Sequence, residues 1–318
     1  MANAFPGTAA MSNTVQTSYD RALEFALRAQ PLFRQVADKR PVQQSMPGSS
    51  VVFELYQDLA VATTPLNELV DPDAVAAGNP TQVTVTLNEY GNSILVSNKL
   101  DLQSFTDITA GLINQVAWNL GDSIDVVVRN VLDAGTNYIR KNGGTVAYNG
   151  PQTTVLTAAG DTMSSPIVRL ATAKLRGNKV HPNKGSYYVA YIHPDVAHDL
   201  KAETGNAAWR DPHNYSAAEN IWASELGEYE GVVFIETPRS TIQVNAGVGG
   251  TVDVYNTLFT GQQALAEAVA EEFHTVRGPV VDKLTRFQPL GWYGMAGWSI
   301  YRQEALIRAE TASSIGAN

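Results

Sequence analysis

The chain contains no cysteine. That removes disulfides, thiolate-ligated zinc and thiol nucleophiles together, and leaves the redox compartment open. No apolar run reaches the ~18 residues that a membrane-spanning helix needs, so no membrane partner is expected. The first residues, MANAFPGTAA, lack the basic-then-apolar order of a secretory signal. Charge is scarce, at 17% Asp, Glu, Lys and Arg, and the balance of -9 is acidic. A nucleic-acid-gripping surface needs clustered Lys and Arg and is not expected. One absence is local: positions 41–98 hold no Lys or Arg, yet carry Glu54, Asp58, Glu68, Asp71, Asp73 and Glu89.

Catalytic motifs are missing as well. There is no GxSxG elbow and no Walker loop, and GVGG at 247–250 lacks the lysine of a phosphate cradle. Glu271 and Glu272 are adjacent, so they cannot face each other as an acid/base pair. His193 and His198, with Asp195 and Asp199, are the nearest thing to a metal cluster. A helical zinc pair would use a spacing of four with a third ligand, and His193 stands before the proline that opens a helix. A capping or surface role is the better reading. No catalytic residue, metal site or cofactor is expected, and the chain reads as a structural protein.

What is present is organised around one stretch, Ser104–Ala134. Ile108, Leu112, Ile113, Val116, Leu120, Ile124, Val127, Val128, Val131 and Leu132 recur at helical spacing. Ser104 with Asp107 resembles a capping box, and Gly135 suits a left-handed stop. At ~1.5 Å per residue this helix would run about 45 Å. Gly111 and Gly121 inside it suggest a close backbone contact or a bend.

Before the helix, residues 1–18 are small and polar, and Tyr19–Ala37 has the spacing of a short amphipathic helix interrupted at Pro31. VVFELYQDL at 51–59 and TQVTVTLN at 81–88 read as two strands, the second alternating Val83, Val85 and Leu87 with polar residues. The 21 residues between them, Ala60–Pro80, are rich in turn formers. This is a long acidic hairpin with a large tip. A lone two-stranded hairpin is marginal in water, so Val83, Val85 and Leu87 are expected to lie on another surface, that of a neighbouring subunit if no other part of the chain offers one. Asp71 and Asp73 belong either to a solvated acidic loop or to a face that meets a basic patch of the partner.

After the helix, Gly135–Gly160 reads as turns and short strands. SSPIVRLATAKLRG reads as a helix capped at Ser165 and closed at Gly177. Tyr187–Ile192 reads as a buried strand, and Pro194 opens a short helix. Glu203–Ser224 reads as loop, Leu226–Pro238 as a turn and strand, Thr251–Phe259 as a strand, and Gln262–Glu272 as a helix. Leu284–Ser313 reads as strands joined at Gly291, Gly294 and Gly297.

This order of arm, long hairpin, long helix, compact α/β insert and strand-rich return resembles the major capsid proteins of tailed bacteriophages. The Hong Kong 97-type fold is the implied architecture, and the N4-like family is the nearest within it. LGEYEGVVFIETP at 226–238 and LGWYGMAGWSIYRQEALIRAETAS at 290–313 carry the local resemblance. The resemblance implies an α+β chain: an N-terminal arm at 1–45, an extended loop at 46–100, a peripheral domain at 101–158 and 251–318 with the long helix as its spine, and an axial domain at 159–250. It also implies self-assembly into pentamers and hexamers of an icosahedral head enclosing double-stranded DNA without sequence-specific binding. Virion location, assembly in the host cytoplasm, a separate scaffolding protein, a portal and decoration proteins follow as further implications. Covalent crosslinking through an extended-loop lysine is not expected, because 41–98 has none. The alternatives are an encapsulin-like compartment and a metal-dependent enzyme using His193 and His198.

Overall fold

The computed structural model describes residues 32–41, 48–56, 58–69, 71, 74–99, 108–150, 157–183, 185–204, 228–279, 284 and 286–316. The expected spine is helix α1, described over Ile108–Asp133. The Ser104–Asp107 cap lies outside the described residues. Val116, Ile124, Val128 and Leu132 of the stripe are buried, with Leu112, Leu120, Val127 and Val131 packed beside them. Ile113 departs from it and faces outward. Gly135 does not adopt the left-handed conformation expected of it. A Cβ there would begin 2.8 Å from the end of the Leu306 side chain and 3.2 Å from the Leu132 carbonyl oxygen, a close approach that favours glycine.

α1 lies against a four-stranded sheet of β1 (Ala37–Pro41), β12 (Leu265–Arg277), β13 (Phe287–Ile300) and β4 (Asn88–Ser97), in the order β1-β12-β13-β4. Only β1 and β12 pair in parallel. Three expectations change here. Gln262–Glu272 is not a helix: its Ala-, Glu- and Gln-rich composition favours one, but Leu265 onward forms the central strand β12. Both edges of β12 are hydrogen-bonded to neighbours. Leu265 and Val269 enter the main core, while Ala266 and Ala268 face a second cluster. Burial on two faces outweighs intrinsic preference.

Second, Gly291, Gly294 and Gly297 are not joints between strands, because β13 runs unbroken through all three. They mark close crossings. A Cβ on Gly294 would lie 2.3 Å from the Phe273 ring, and one on Gly297 would lie 2.1 Å from the Thr86 carbonyl oxygen. Third, of the expected helix at 19–37 the described part, Phe33–Val36, is a 3-10 turn that leads into β1. Residues 19–31 lie outside the described residues.

The second sheet has eight strands. Seven follow the order β6 (Thr145–Tyr148), β5 (Tyr138–Asn142), β14 (Leu306–Thr311), β11 (Val254–Thr260), β7 (Tyr188–Ile192), β9 (Val232–Glu236) and β8 (Glu228–Tyr229). The eighth, β10 (Ile242–Gln243), pairs with β11. Every residue of β7 and β11 is buried, which is why YYVAYI shows no alternation. Gly143 with Gly144, and Glu230 with Gly231, hold positive φ between paired strands, the geometry of tight hairpin turns. Helices α2, Ser165–Gly177, and α3, Pro194–Ala202, contribute buried residues to the core. α2 ends at Gly177 as expected, although Lys179 rather than Gly177 takes the left-handed conformation. The Val180 and Lys179 amides donate to the Leu175 and Arg176 carbonyls, a Schellman stop. This sheet draws strands from both 101–158 with 251–318 and 159–250, the segments the sequence reading assigned to different domains.

Candidate assembly surface

The hairpin is present as β2, Ser50–Leu55, antiparallel to β3, Thr81–Thr86. After Leu87 the chain continues as β4, so the second half of the expected loop belongs to the four-stranded sheet. The root of the hairpin is fastened to its own chain. Val85 and Phe53 join Ala266, Ala268 and Tyr301 in a buried cluster, with Val51, Leu55, Val83 and Leu87 packed against it. The Phe53 and Tyr301 rings sit 5.7 Å apart, and the Tyr301 hydroxyl donates to the Glu54 carbonyl at 3.2 Å. Gly297 lets β3 cross directly over β13.

The expectation changes for Val85, while Val83 and Leu87 pack beside it and stay half-buried. Val85 is 0% exposed within a single chain, so the support expected from a neighbouring subunit comes from β12 and β13. A sequence scan misses this because Ala266 and Ala268, the small residues that make room, sit in a segment that reads as helix.

Beyond the root, the tip is open. Tyr56, Leu59, Val61, Leu66, Leu69 and Val75 are exposed, Leu69 to 92%. The Leu69 amide donates to the Asn67 side chain at 3.1 Å, a local turn that presents Leu69 outward. Asp71 is exposed, and Asp73 lies outside the described residues. The acidic character is partly met within the chain, since Asp58 Oδ2 lies 3.6 Å from Lys179 Nζ.

The rigid body under the hairpin is tied by ionic groups that the sequence did not single out. Asp125, buried on α1, accepts from the Leu32 and Phe33 amides at 2.9 Å and from Arg239 at 2.8 Å. Arg239 also binds Asp122. One carboxylate thus joins the start of the described chain, the spine and the 237–243 turn. Glu310, fully buried, meets both Arg140 and Arg308. Burial raises the Asp133 carboxyl despite hydrogen bonds from Thr241 and Asn256. The signal for these groups was an acid on the apolar face of a helix or a charge within a strand, and pairing across more than 90 residues is invisible to local patterning.

The histidines occupy separate roles. His193 caps α3, its Nδ1 accepting from the Asp195 amide at 3.2 Å. Burial lowers its pKa, against the opposing pull of Asp195 and Glu236, which keeps the ring neutral and able to accept. Asp195 in turn accepts from the Tyr255 hydroxyl at 3.0 Å. His198 is exposed beside Asp199, whose carboxylate holds Ser314 near the end of the chain. These contacts fasten α3 and the last residues to the sheet.

The model for the phage capsid protein family matches residues 122–305, more than half of the chain. No curated protein sequence matches. In fold the chain is similar to the Cyanophage Pam1 capsid asymmetric unit, with a TM-score of 0.71 at 15% identity over 99% of this chain and 100% of that one. It is also similar to the acidic stable capsid structure of Helicobacter pylori bacteriophage KHP30, with a TM-score of 0.70 at 13% identity over 98% and 99%. The capsid of Cyanophage P-SCSP1u gives 0.68 at 14% identity over 95% and 94%. Identities this low speak for shared fold, and membership follows from the family match. The chain belongs to the phage capsid protein family, and is a structural protein of the virion shell.

Proposed function

We propose that this protein is the major capsid protein of a phage head, assembling into pentamers and hexamers of an icosahedral shell around double-stranded DNA. The observation that carries the reading is the hairpin: a root buried on its own body and a tip that exposes five aliphatic side chains, Leu59, Val61, Leu66, Leu69 and Val75. Full burial of such a side chain contributes about 1.5–3 kcal/mol. A tip of this kind gains most of its stability from a neighbouring copy. A contact between unlike patches, repeated head to tail, closes into rings. The intersubunit role first assigned to Val85 therefore passes to the tip, where Asp71 and Asp73 would set orientation.

In this reading the architecture is the Hong Kong 97 type, and 226–238 and 290–313 support the N4-like resemblance within it. Residues 46–100 are the extended loop, 101–158 with 251–318 the peripheral domain and 159–250 the axial domain, the last two sharing the eight-stranded sheet. Residues 1–45 serve as an arm. A scaffolding protein, a portal and decoration proteins are the partners such a shell would have, with assembly in the host cytoplasm. No lysine lies between 41 and 98, so the shell holds together without loop-lysine crosslinks. Boiled in detergent, particles should release one band at 34.3 kDa.

The test is negative-stain microscopy with sedimentation of the expressed chain, alone and with its scaffolding partner. Closed shells are expected. A stable monomer under every condition refutes the proposal, and shells that carry protein cargo where the virion should carry DNA would favour a compartment.

A further inference from the structure

His193 caps α3 with a lone pair. Its Nδ1 accepts from the Asp195 amide at 3.2 Å, and only the unprotonated nitrogen can do so. Serine, threonine, asparagine and aspartate are the usual caps, whereas a histidine caps only while its ring is neutral. The ring is 5% exposed and packs 5.1 Å from the Tyr255 ring. Charged and titratable groups face it from three elements. Asp195 of α3 places Oδ2 3.3 Å from Nδ1, Glu236 acts from β9, and Tyr255 lies on β11. His198 and Asp199 follow one turn along α3. Burial outweighs the pull of the two nearest acids and holds the imidazole below its ordinary 6.5.

The same short helix holds the tail. Ala312 pairs with the 161–162 segment, and beyond it the grip passes to α3. Asp199 accepts from the Ser314 amide at 2.9 Å and from the Ser314 hydroxyl. The Tyr255 hydroxyl lies 3.0 Å from both Asp195 Oδ2 and the Gly316 carbonyl oxygen, so it ties the first turn of α3 to the tail. We propose that α3 and the tail at 313–316 form an acid-released latch, with His193 as its proton sensor. Protonation puts a hydrogen on Nδ1, which orphans the Asp195 amide and sets a positive charge against the positive end of the helix. The Asp195 carboxylate can accept from the imidazolium, which then competes with the Tyr255 hydroxyl for the same oxygen. A helix of nine residues does not hold itself without its cap and packing. As its first turn loosens, Asp195 and Asp199 lose their fixed positions and release Tyr255 and Ser314. A base with a depressed folded pKa stabilises above its unfolded value, and that contribution is lost as pH falls below 6.5 towards the folded value.

Hydrogen exchange of the whole chain at about pH 7.5 and about pH 5, corrected for intrinsic rates, tests the latch. Amides of 195–200 and 313–316 should lose protection about tenfold at the lower pH, while those of 265–269 keep theirs. His193→Asn replaces the ring by a cap that does not titrate, and should abolish the difference. His198→Gln, at the exposed imidazole beside Asp199, should leave the difference intact. Should His193→Asn fail to fold, His193→Ser makes the same comparison. Equal protection at both pH values in the wild-type chain would overturn the proposal. So would an undiminished loss in the asparagine or serine variant, or a loss abolished by His198→Gln. The latch belongs to the single subunit, so its failure leaves the assembly reading untouched.

Discussion

Replacing Val85 by lysine tests the root of the hairpin most directly. Val85 is 0% exposed and lies among Phe53, Ala266, Ala268 and Tyr301. The substitution forfeits about 1.5–3 kcal/mol of burial and places an ammonium against apolar neighbours, costing several kcal/mol more unless the strand leaves the surface. Leaving is the cheaper course. Among the described residues β2 and β3 pair only with each other, and an isolated two-stranded ribbon is marginal in water. The core of α1 and the two larger sheets forms a separate cluster, so opening should be local. Hydrogen exchange reads this by segment: amides of 51–55 and 81–86 should lose protection, while 188–192 and 254–260 keep theirs. Circular dichroism should change little and shell formation should cease. Val52→Lys, on the paired strand β2 opposite Thr84 and 48% exposed, is the control and should leave protection unchanged. Retained protection in Val85→Lys, an equal effect in Val52→Lys, or melting of β7 and β11 with the hairpin would each refute the reasoning.

Asp125→Ala should lower stability by about 3–5 kcal/mol, because it strips a buried ion pair from Arg239 and orphans two amides. An unchanged thermal midpoint would contradict that. Gly297→Val should release the hairpin with the same exchange signature as Val85→Lys, since its Cβ would start 2.1 Å from the Thr86 carbonyl oxygen; normal protection of 81–86 would show that β3 can shift without loss. Asp161 carries a pH prediction. Burial pushes its pKa up, but amide hydrogen bonds from Gly144, Ala158 and Gly143, with Lys141 nearby, outweigh this and hold it below the ordinary 3.8. A depressed folded pKa stabilises above the unfolded value and is lost as pH falls through the folded one. The stability gap between wild type and Asp161→Asn should therefore be full at neutral pH and narrow below about pH 4. A gap independent of pH would mean that the carboxylate charge contributes nothing.

Strong periodicity and local turn chemistry were legible without coordinates. The spine, the two hairpin strands, the wholly apolar β7, the proline-led start of α3 and the capping role of His193 each depend on residues within a few positions of one another. Local sterics and hydrogen bonding decide them before any fold exists. Three features were decided only by the tertiary structure. β12 is a strand because β1 and β13 pair with both its edges and two clusters bury its faces, which overrides a composition that favours helix. The glycines of β13 read locally as breaks, yet each is the absence of a side chain demanded by a distant strand or ring. Val83, Val85 and Leu87 announced an apolar face in sequence, but not whose surface would cover it. That depended on Ala266 and Ala268, some 180 residues away, being small enough to let the hairpin lie on its own chain. A period of two specifies that one side of a strand must be buried, and only the folded chain supplies the partner.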